Sequence, residues 1–388
     1  MKLKVAIIDH LGAHGSSHHF YLFGQATGLI NSDVNVSLYT NSQTIDPLIK
    51  NLNFFTFYGD IFSFKNKFIS AFKYFFGSLR SHVHARFYGS KVFHYHIFGF
   101  SILVLFNMII AKILGGKIVL TVHDVRSFAN INSSKIYTKF IYALASSVLT
   151  HNIFSKNEII KYYKNLERKI CIVPHGNYLP FITHNNDQLS ARQKINVDIN
   201  SKVILFFGMI KKVKRLDFLL ESMPEIIKGC SNVNLLIAGK PWQDDFLKYQ
   251  KIIDDLKIND HCTLHINFIK SDDLKHYYSA SDLIILPYSK IYQSGVLMMS
   301  LSFGKAVVLS DLEPFKEVVE DQKSALFFNS GDKNNLAEVV LKALKDDSLR
   351  NRIGDGGLDL MKKKFSWNNI GELTKDAYLK MDYFYKKN

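Results

Sequence analysis

Cysteine is scarce in this chain: Cys171, Cys230 and Cys262 are the only three in 388 residues. Their scatter matches neither a metal spacing nor a disulfide framework, which excludes a disulfide-stapled scaffold and points to a reducing compartment such as the cytoplasm. Long hydrophobic runs are equally absent. The longest, FGFSILVLFNMIIAKILGG over residues 98–116, is interrupted by Asn107 and Lys112. A membrane span needs about 20 apolar residues, so this run is expected to be a buried helix. The opening MKLKVAIIDHLGAHG reads as a first strand ending at Asp9 and His10, not as a signal peptide. Acidic residues are missing altogether between positions 61 and 123, where eight Lys and Arg stand.

What is present is the balance of a folded protein, 47% hydrophobic and 21% charged, in a chain long enough for two domains. The formal charge of +15 is concentrated early: residues 1–190 carry 19 basic against 8 acidic side chains, the remainder 30 against 26. Within that basic region, IFSFKNKFISAFKYFFGSLRSHVHARF mixes phenylalanine with Lys and Arg. Such a stretch suits an anionic membrane surface, and equally a solvated helix whose phenylalanines face the core. No compact recognition motif supports nucleic acid.

Strand-like runs alternate with helical patterns throughout. KVAIID (4–9), VNVSLYT (34–40), KVFHYHI (91–97), KIVLTVHD (117–124), SVLTHN (147–152) and KICIVPHG (169–176) read as strands in the first half. KVILFFG (202–208), VNLLIAG (233–239), CTLHINFI (262–269), DLIILPY (282–288) and KAVVLSD (305–311) follow in the second. This predicts an α/β protein with mostly parallel sheets covered on both faces. The polar stretch 178–200, with Pro180, reads as a linker. The expected organisation is an N-terminal domain over 1–185, a second over 195–365 and a C-terminal helix over 366–388 packing back on the first. Three short helices are expected to close the chain. Two doubly wound domains facing across a cleft would bind ligands beyond the carboxyl ends of their strands.

Several features gather at those ends. PYSKIYQSGVLMMSLSFGKAVVLSD (287–311) turns through Gln293, Ser294 and Gly295 into an apolar helix. A helix start offers unpaired N–H groups and a positive dipole end to an anion, and the same letters fit a buried helix with a serine cap. In FFGMIKKVKRLDFLLESM, a strand-end glycine precedes Lys211, Lys212, Lys214 and Arg215. These cations would clamp a diphosphate against the facing helix start, or form a solvated turn. His10, His14, His18, His19, His94, His96, His123 and His151 crowd strand ends of the first half. Their spacings match no ligand set, and the acidic pairs at 244–245, 254–255 and 272–273 fall on helix starts or surfaces, so no metal is expected. Contacts of these histidines to an acceptor sugar are the favoured role. His123 is a candidate catalytic group with Asp124 as its orienter or as a strand-end cap.

The ordered set FFGMIKKVK-RLDFLLE, NLLIAG, INFIKSDDLKHYYSASDLIILPY and YQSGVLMMSLSFGKAVVLSD-LEPFKEVVED, supported by TVHD and IVPHGNY, resembles glycosyltransferase family 4, the group 1 nucleotide-sugar transferases of GT-B fold. The resemblance implies two Rossmann-like domains, the first taking the acceptor and the second a nucleotide-diphosphate sugar. It implies Lys211 and Lys214 as the pair stabilising the leaving diphosphate. The backbone of Ser294, Gly295, Val296 and Leu297, next to Gln293, would hold that group, with Gly15 in a Gly-rich loop over Gly12 to Ser17. Gly239, Lys240, Asn267, Phe268 and Ile269 would form the nucleobase pocket. Ser16, His18, His96, Asp124 and Glu317 are possible sugar or acceptor contacts, and His123 would touch the transferred sugar. No cofactor or metal is implied, and retention of configuration is favoured. With the basic, Phe-rich segment, the acceptor expected is a glycan or polyprenyl-diphosphate-linked oligosaccharide of bacterial surface polysaccharide assembly, on a peripheral membrane enzyme. Ile291 and Met299 stand where relatives carry a Glu-x7-Glu pair, Met209 stands where they carry Arg, and Arg215 where they carry Gly. The lost carboxylates leave ribose recognition open. They also leave open a GT-B-type epimerase or phosphorylase, or a non-catalytic partner of a transferase complex.

Overall fold

The computed structural model describes residues 2–14, 17–64, 66–125, 135–183 and 187–385. The chain divides into two compact units, Met1–Gly176 with Phe365–Asn388, and Asn177–Lys364. Each is built on its own parallel sheet.

The first unit contains β1 (Lys4–Ile8), β2 (Asn35–Asn41), β3 (Leu52–Gly59), β4 (Val92–Ile97), β5 (Lys117–Val122), β6 (Ser147–Thr150) and β7 (Ile170–Ile172), ordered β3-β2-β1-β4-β5-β6-β7 and parallel throughout. Strand β4 is buried along its whole length, as a parallel strand covered on both faces must be. Side chains two apart share a face, so His94 and His96 project together, their rings 4.9 Å apart. The terminal helix Trp367–Tyr385 packs on the helix His18–Asn31. Glycine permits the approach: a Cβ on Gly28 would lie 2.0 Å from the Trp367 carbonyl oxygen, and one on Gly371 2.1 Å from that of Gly28.

The second unit contains β8 (Lys202–Phe207), β9 (Val233–Ala238), β10 (Cys262–His265), β11 (Leu283–Leu286), β12 (Val307–Ser310) and β13 (Leu326–Phe328), ordered β10-β9-β8-β11-β12-β13. Counted within the unit this is 3-2-1-4-5-6, the order of dinucleotide-binding folds, whose ligands sit at the strand carboxyl ends. Ile204, Phe206, Leu235, Ile237, Ile285 and Val308 fill the core against the helices Leu216–Gly229 and Lys333–Lys345.

Several expectations are corrected. Strands β3 and β13 are additional to those read from the pattern. Residues 178–200 are not a bare linker: Tyr178 donates its N–H to Ser302 Oγ at 3.0 Å, and Arg192 on the helix Gln188–Lys194 pairs with Asp282 at 2.8 Å. The unit boundary falls at Gly176/Asn177, ahead of that stretch. The closing helices Asp347–Lys363 and Trp367–Tyr385 run to 17 and 19 residues rather than being short. The run 98–116 forms the helix Ile102–Ile113, but Ile102, Leu103, Ile109 and Ile113 are exposed, so it is only half buried. On the helix Lys67–Phe87, Phe68, Phe72, Phe75 and Phe76 face solvent, which overturns the core reading of those phenylalanines.

Candidate functional site

In the second unit, strand β8 ends at Phe207 and the chain turns through Gly208, with φ +91°. Only glycine fits the spot. A Cβ there would lie 3.1 Å from Lys214 Nζ and 3.2 Å from Val296 Cγ2, so the strand end, the lysine and the first turn of the helix Gly295–Ser302 meet at one point. The next strand end is as tight, since a Cβ on Gly239 would fall 2.1 Å from the Gly208 carbonyl oxygen. The short turn Lys212–Lys214 brings Lys214 Nζ to 3.4 Å from the Phe207 carbonyl and over the Tyr288 ring at 5.5 Å. Lys211 lies over the Trp242 ring at 4.3 Å. Burial, and then the neighbouring charge of Lys211, pushes the Lys214 ammonium down to about 7.

The helix that faces this lysine is both things its letters allow. Ser294 caps it, its hydroxyl accepting from the Leu297 N–H at 3.1 Å, and Leu297 to Ser302 are buried. Its mouth is not sealed: Gln293, Gly295 and Val296 are half exposed. The leading amides of Gly295 and Val296 have no acceptor within the helix, and the dipole adds positive potential there. An anion beside Val296 would meet these amides and the Lys214 ammonium together.

The remaining predicted residues of this unit stand beyond neighbouring strands. Gly239 and Lys240 follow β9. Asn267, Phe268 and Ile269 follow β10, with Phe268 50% exposed and Ile269 buried. Glu317 ends the short helix Glu313–Lys316 after β12 and is half buried. Met299 is buried inside the capped helix and Ile291 is half buried, so no carboxylate stands at either place. Arg215 adopts φ +53° at the start of the helix Leu216–Gly229. This left-handed backbone is one that glycine adopts most readily. Here the arginine is held by Asp217 at 3.0 Å and the Phe218 ring.

Because Lys214 titrates near neutrality, an anion bound beside it should draw a proton from solvent. Calorimetry of nucleoside diphosphate binding, in buffers of different ionisation enthalpy, is expected to show uptake of close to one proton at about pH 8 and little at about pH 6. Zero uptake at both would place the ligand away from Lys214.

In the first unit the strand ends carry histidines. Asp9, just past β1, is buried and accepts from the Gly12 N–H at 2.7 Å and contacts His18 Nε2 at 2.9 Å. His96 Nδ1 faces His123 Nε2 at 3.1 Å, and His96 Nε2 faces Gln25 Oε1 at 2.9 Å. His123 Nδ1 faces His151 Nε2 at 3.1 Å, whose Nδ1 lies 3.0 Å from the Val173 carbonyl oxygen. Burial, followed by neighbouring imidazoles, holds His96 and His123 far below the ordinary histidine value. The ring partners of His123 are therefore His96 and His151 rather than Asp124, and both its nitrogens are engaged. Gly15 and Ser16 lie outside the described residues. Asp9, Gln25, His175, Gly208 and Trp242 were not singled out from the pattern as site residues. Of these, Asp9 carried a signal as the acid that ends the first strand, and Gly208 as the strand-end glycine ahead of the basic run.

Residues 187–358 match the family described as Glycosyl transferases group 1. The chain is 25% identical over 236 residues to an uncharacterized glycosyltransferase of Methanocaldococcus jannaschii, covering 60% of this chain and 59% of that one. It is 26% identical over 211 residues to the lipopolysaccharide 1,2-N-acetylglucosaminetransferase of Salmonella typhimurium, covering 52% and 54%. The matches thus span a little over half the length of these relatives. In structure it is similar to HepE of Anabaena, solved in complex with UDP-glucose, with a TM-score of 0.73 at 15% identity, covering 96% of this chain and 99% of that one. Its two parallel, helix-covered sheets are those of GT-B glycosyltransferases. Residues 187–358 are thus similar to the glycosyl transferases group 1, within a chain whose fold is that of GT-B glycosyltransferases.

Proposed function

We propose that this protein transfers a sugar from a nucleotide-diphosphate donor to a glycan or lipid-linked oligosaccharide. One observation carries the reading: Lys214 Nζ and Val296 both close on Gly208, which puts a cation beside an open helix start at the strand ends of a dinucleotide-type sheet. Cleaving the sugar–phosphate bond leaves charge on the diphosphate. Preorganised amides and ammonium groups stabilise that charge as it develops. Lys214, Lys211 and the amides of Gly295 and Val296 take this role, with no divalent ion needed on the diphosphate. Phe268, exposed beyond β10, and the Gly239–Lys240 turn take the base. Retention of configuration follows from the family resemblance alone, and the use of UDP from analogy with HepE, which was solved with UDP-glucose. Incubating the protein with UDP-, GDP- and dTDP-sugars and candidate acceptors tests the reading. Sugar transfer supports it, and donor conversion with no acceptor present would indicate an epimerase instead.

We assign the acceptor to the first unit and its presentation to a membrane surface. No helix is long and apolar enough to cross a membrane among the described residues. Phe68 and Phe72 are 87% and 65% exposed on the helix Lys67–Phe87, and Ile113 is 79% exposed on the helix Ile102–Ile113. The Phe75 and Phe106 rings join the two helices at 5.3 Å. Basic side chains flank them, with no acid between 61 and 123. Apolar side chains that enter the headgroup region beside lysine and arginine bind anionic bilayers. The protein is expected to float with anionic vesicles at low salt. Phe68→Ser with Phe72→Ser should weaken partitioning by at least about tenfold, since each buried phenylalanine contributes about 1.5–3 kcal/mol. Unchanged flotation of the double variant would remove this face from the proposal.

A further inference from the structure

The second unit has a cavity at the end of its sheet away from Gly208. It opens where β8, β11 and β12 begin, at Lys202, Asp282 and Ala306, and encloses about 430 Å³. Small-molecule sites of about 300–1,000 Å³ are mostly apolar, whereas this one is lined almost wholly by charged and polar residues.

Four cations and two carboxylates reach it: Arg192, Lys202, Lys305 and Arg350 against Asp282 and Asp347. Their pairing leaves charge over. Asp282 is taken by Arg192 at 2.8 Å, and its oxygens also accept from the Val203 N–H and from Gln188. Asp347 is shared between Lys202, at 3.0 Å, and Arg350. Lys305 has no carboxylate in ion-pair contact among the described residues. It donates to the Ser281 carbonyl oxygen at 2.9 Å and, more loosely, to that of Ser279 at 3.4 Å. An ammonium has three donors, so one is left without a protein acceptor. Arg350 likewise turns one nitrogen to the carbonyl oxygens of Ala343 and Leu344, which occupy a donor and cancel no charge. The excess is two positive charges.

Such an excess is unfavourable where water is limited. Arg192 and Arg350 are buried and Lys305 is half-buried. Burial pushes the Lys305 ammonium down to about 8; Asp282 opposes the shift, and Arg192 and Arg350 add to it. The three cations therefore repel one another across the cavity. Buried charge is normally paired, and here the protein supplies too few carboxylates. A bound dianion would complete the set.

We propose that this cavity binds a small phosphorylated sugar or polyol through its phosphate group. A phosphomonoester carries a charge of about −1.5 to −2 near pH 7, which matches the excess. Its oxygens suit guanidinium donors and the spare lysine donor. Asn200, Ser201 and Asn351 offer amide and hydroxyl groups to the attached polyol. The cavity lies the length of β8 from Gly208, so this ligand is not the nucleotide donor. The site does not depend on the transfer reaction and can be read without it.

Calorimetric titration of the full-length protein with glucose 6-phosphate tests the site. Binding with a raised melting temperature is expected, and glucose at the same concentration should not bind. Lys305→Met removes the cation that lacks a carboxylate and keeps its bulk. Lys202→Glu, at the cavity rim, cancels the excess. Each should weaken binding by at least about tenfold, the effect of losing one charge-assisted contact. Lys214→Ala, at the other end of the sheet, should keep it. Far-ultraviolet circular dichroism establishes that each variant is folded. Should Lys305→Met fail to fold, Lys202→Glu decides, since that side chain bonds only to Asp347. No binding by the parent, unchanged affinity in folded Lys305→Met or Lys202→Glu, or loss of binding in folded Lys214→Ala overturns the proposal.

Discussion

Lys214→Ala is expected to lower turnover of a nucleotide-sugar donor by about 10²–10³-fold, the loss seen when one preorganised donor to a developing oxyanion is removed. The ammonium stands where three parts of the second unit converge, 3.1 Å from the Cβ position of Gly208 and level with Val296. No other side chain can enter that space from β8, because Gly208 has none. Lys214→Arg should not rescue the loss, since a planar guanidinium is wider than the gap between strand end and helix. Stability should move the opposite way. In the folded chain the lysine is held near 7 by burial and by Lys211, against 10.5 when unfolded. The unfolded chain therefore binds more protons across that window, and the folded state carries a penalty that is full below about pH 7 and fades as pH rises toward 10.5. Lys214→Ala should accordingly melt at a higher temperature than the parent below neutrality. A variant at once more stable and less active identifies a group kept for chemistry.

The second large effect lies at the other end of the same sheet. Asp282→Ala is expected to cost about 3–5 kcal/mol, the range for leaving one member of a buried ion pair without its partner. Asp282 precedes β11 and accepts from Arg192 at 2.8 Å, from the Val203 N–H at 2.6 Å and from Gln188 at 3.2 Å. Arg192 is buried, and nearby Lys305 is pushed down to about 8, chiefly by burial. Without the carboxylate, two cations remain in a region that already disfavours charge. Urea unfolding measures the loss. Donor affinity of the folded fraction should be unchanged, because the strand beginnings, not their ends, are disturbed. A loss under about 1 kcal/mol would mean that water reaches Arg192 freely.

These two residues also mark what the sequence discloses. The strands that are legible, such as KVILFF and VNLLIA, are continuous apolar runs, because both faces of a parallel sheet are covered. Strand β3, LNFFTFYG, is half exposed at a sheet edge, and β13 is three residues long, so neither gives that pattern. The stretch 178–200 looks like a linker because its buried apolar residues, Tyr178, Ala191, Ile195 and Val197, are sparse and a charged side chain, Arg192, is buried with them. Arg192 is held inside by Asp282, 90 residues away, and by the Ala280 and Ile199 carbonyl oxygens, and hydrophobic periodicity cannot register such contacts. At the site, the basic run and the serine cap are readable locally. That Lys214 rather than Lys212 turns inward is set by the short turn Lys212–Lys214, which the letters do not announce. The histidines are visible as a crowd at strand ends. Which of them touch is set by sheet order, and residues as far apart as Gln25, His96 and His151 meet with no spacing rule to announce it.

A crystal structure of the protein with a bound nucleoside diphosphate tests the central claim most directly. The terminal phosphate is expected within hydrogen-bond distance of the Gly295 and Val296 amides and of Lys214 Nζ, with Lys211 alongside. A diphosphate lodged elsewhere, with Lys214 still packed on Tyr288 and the helix start facing only water, would contradict it.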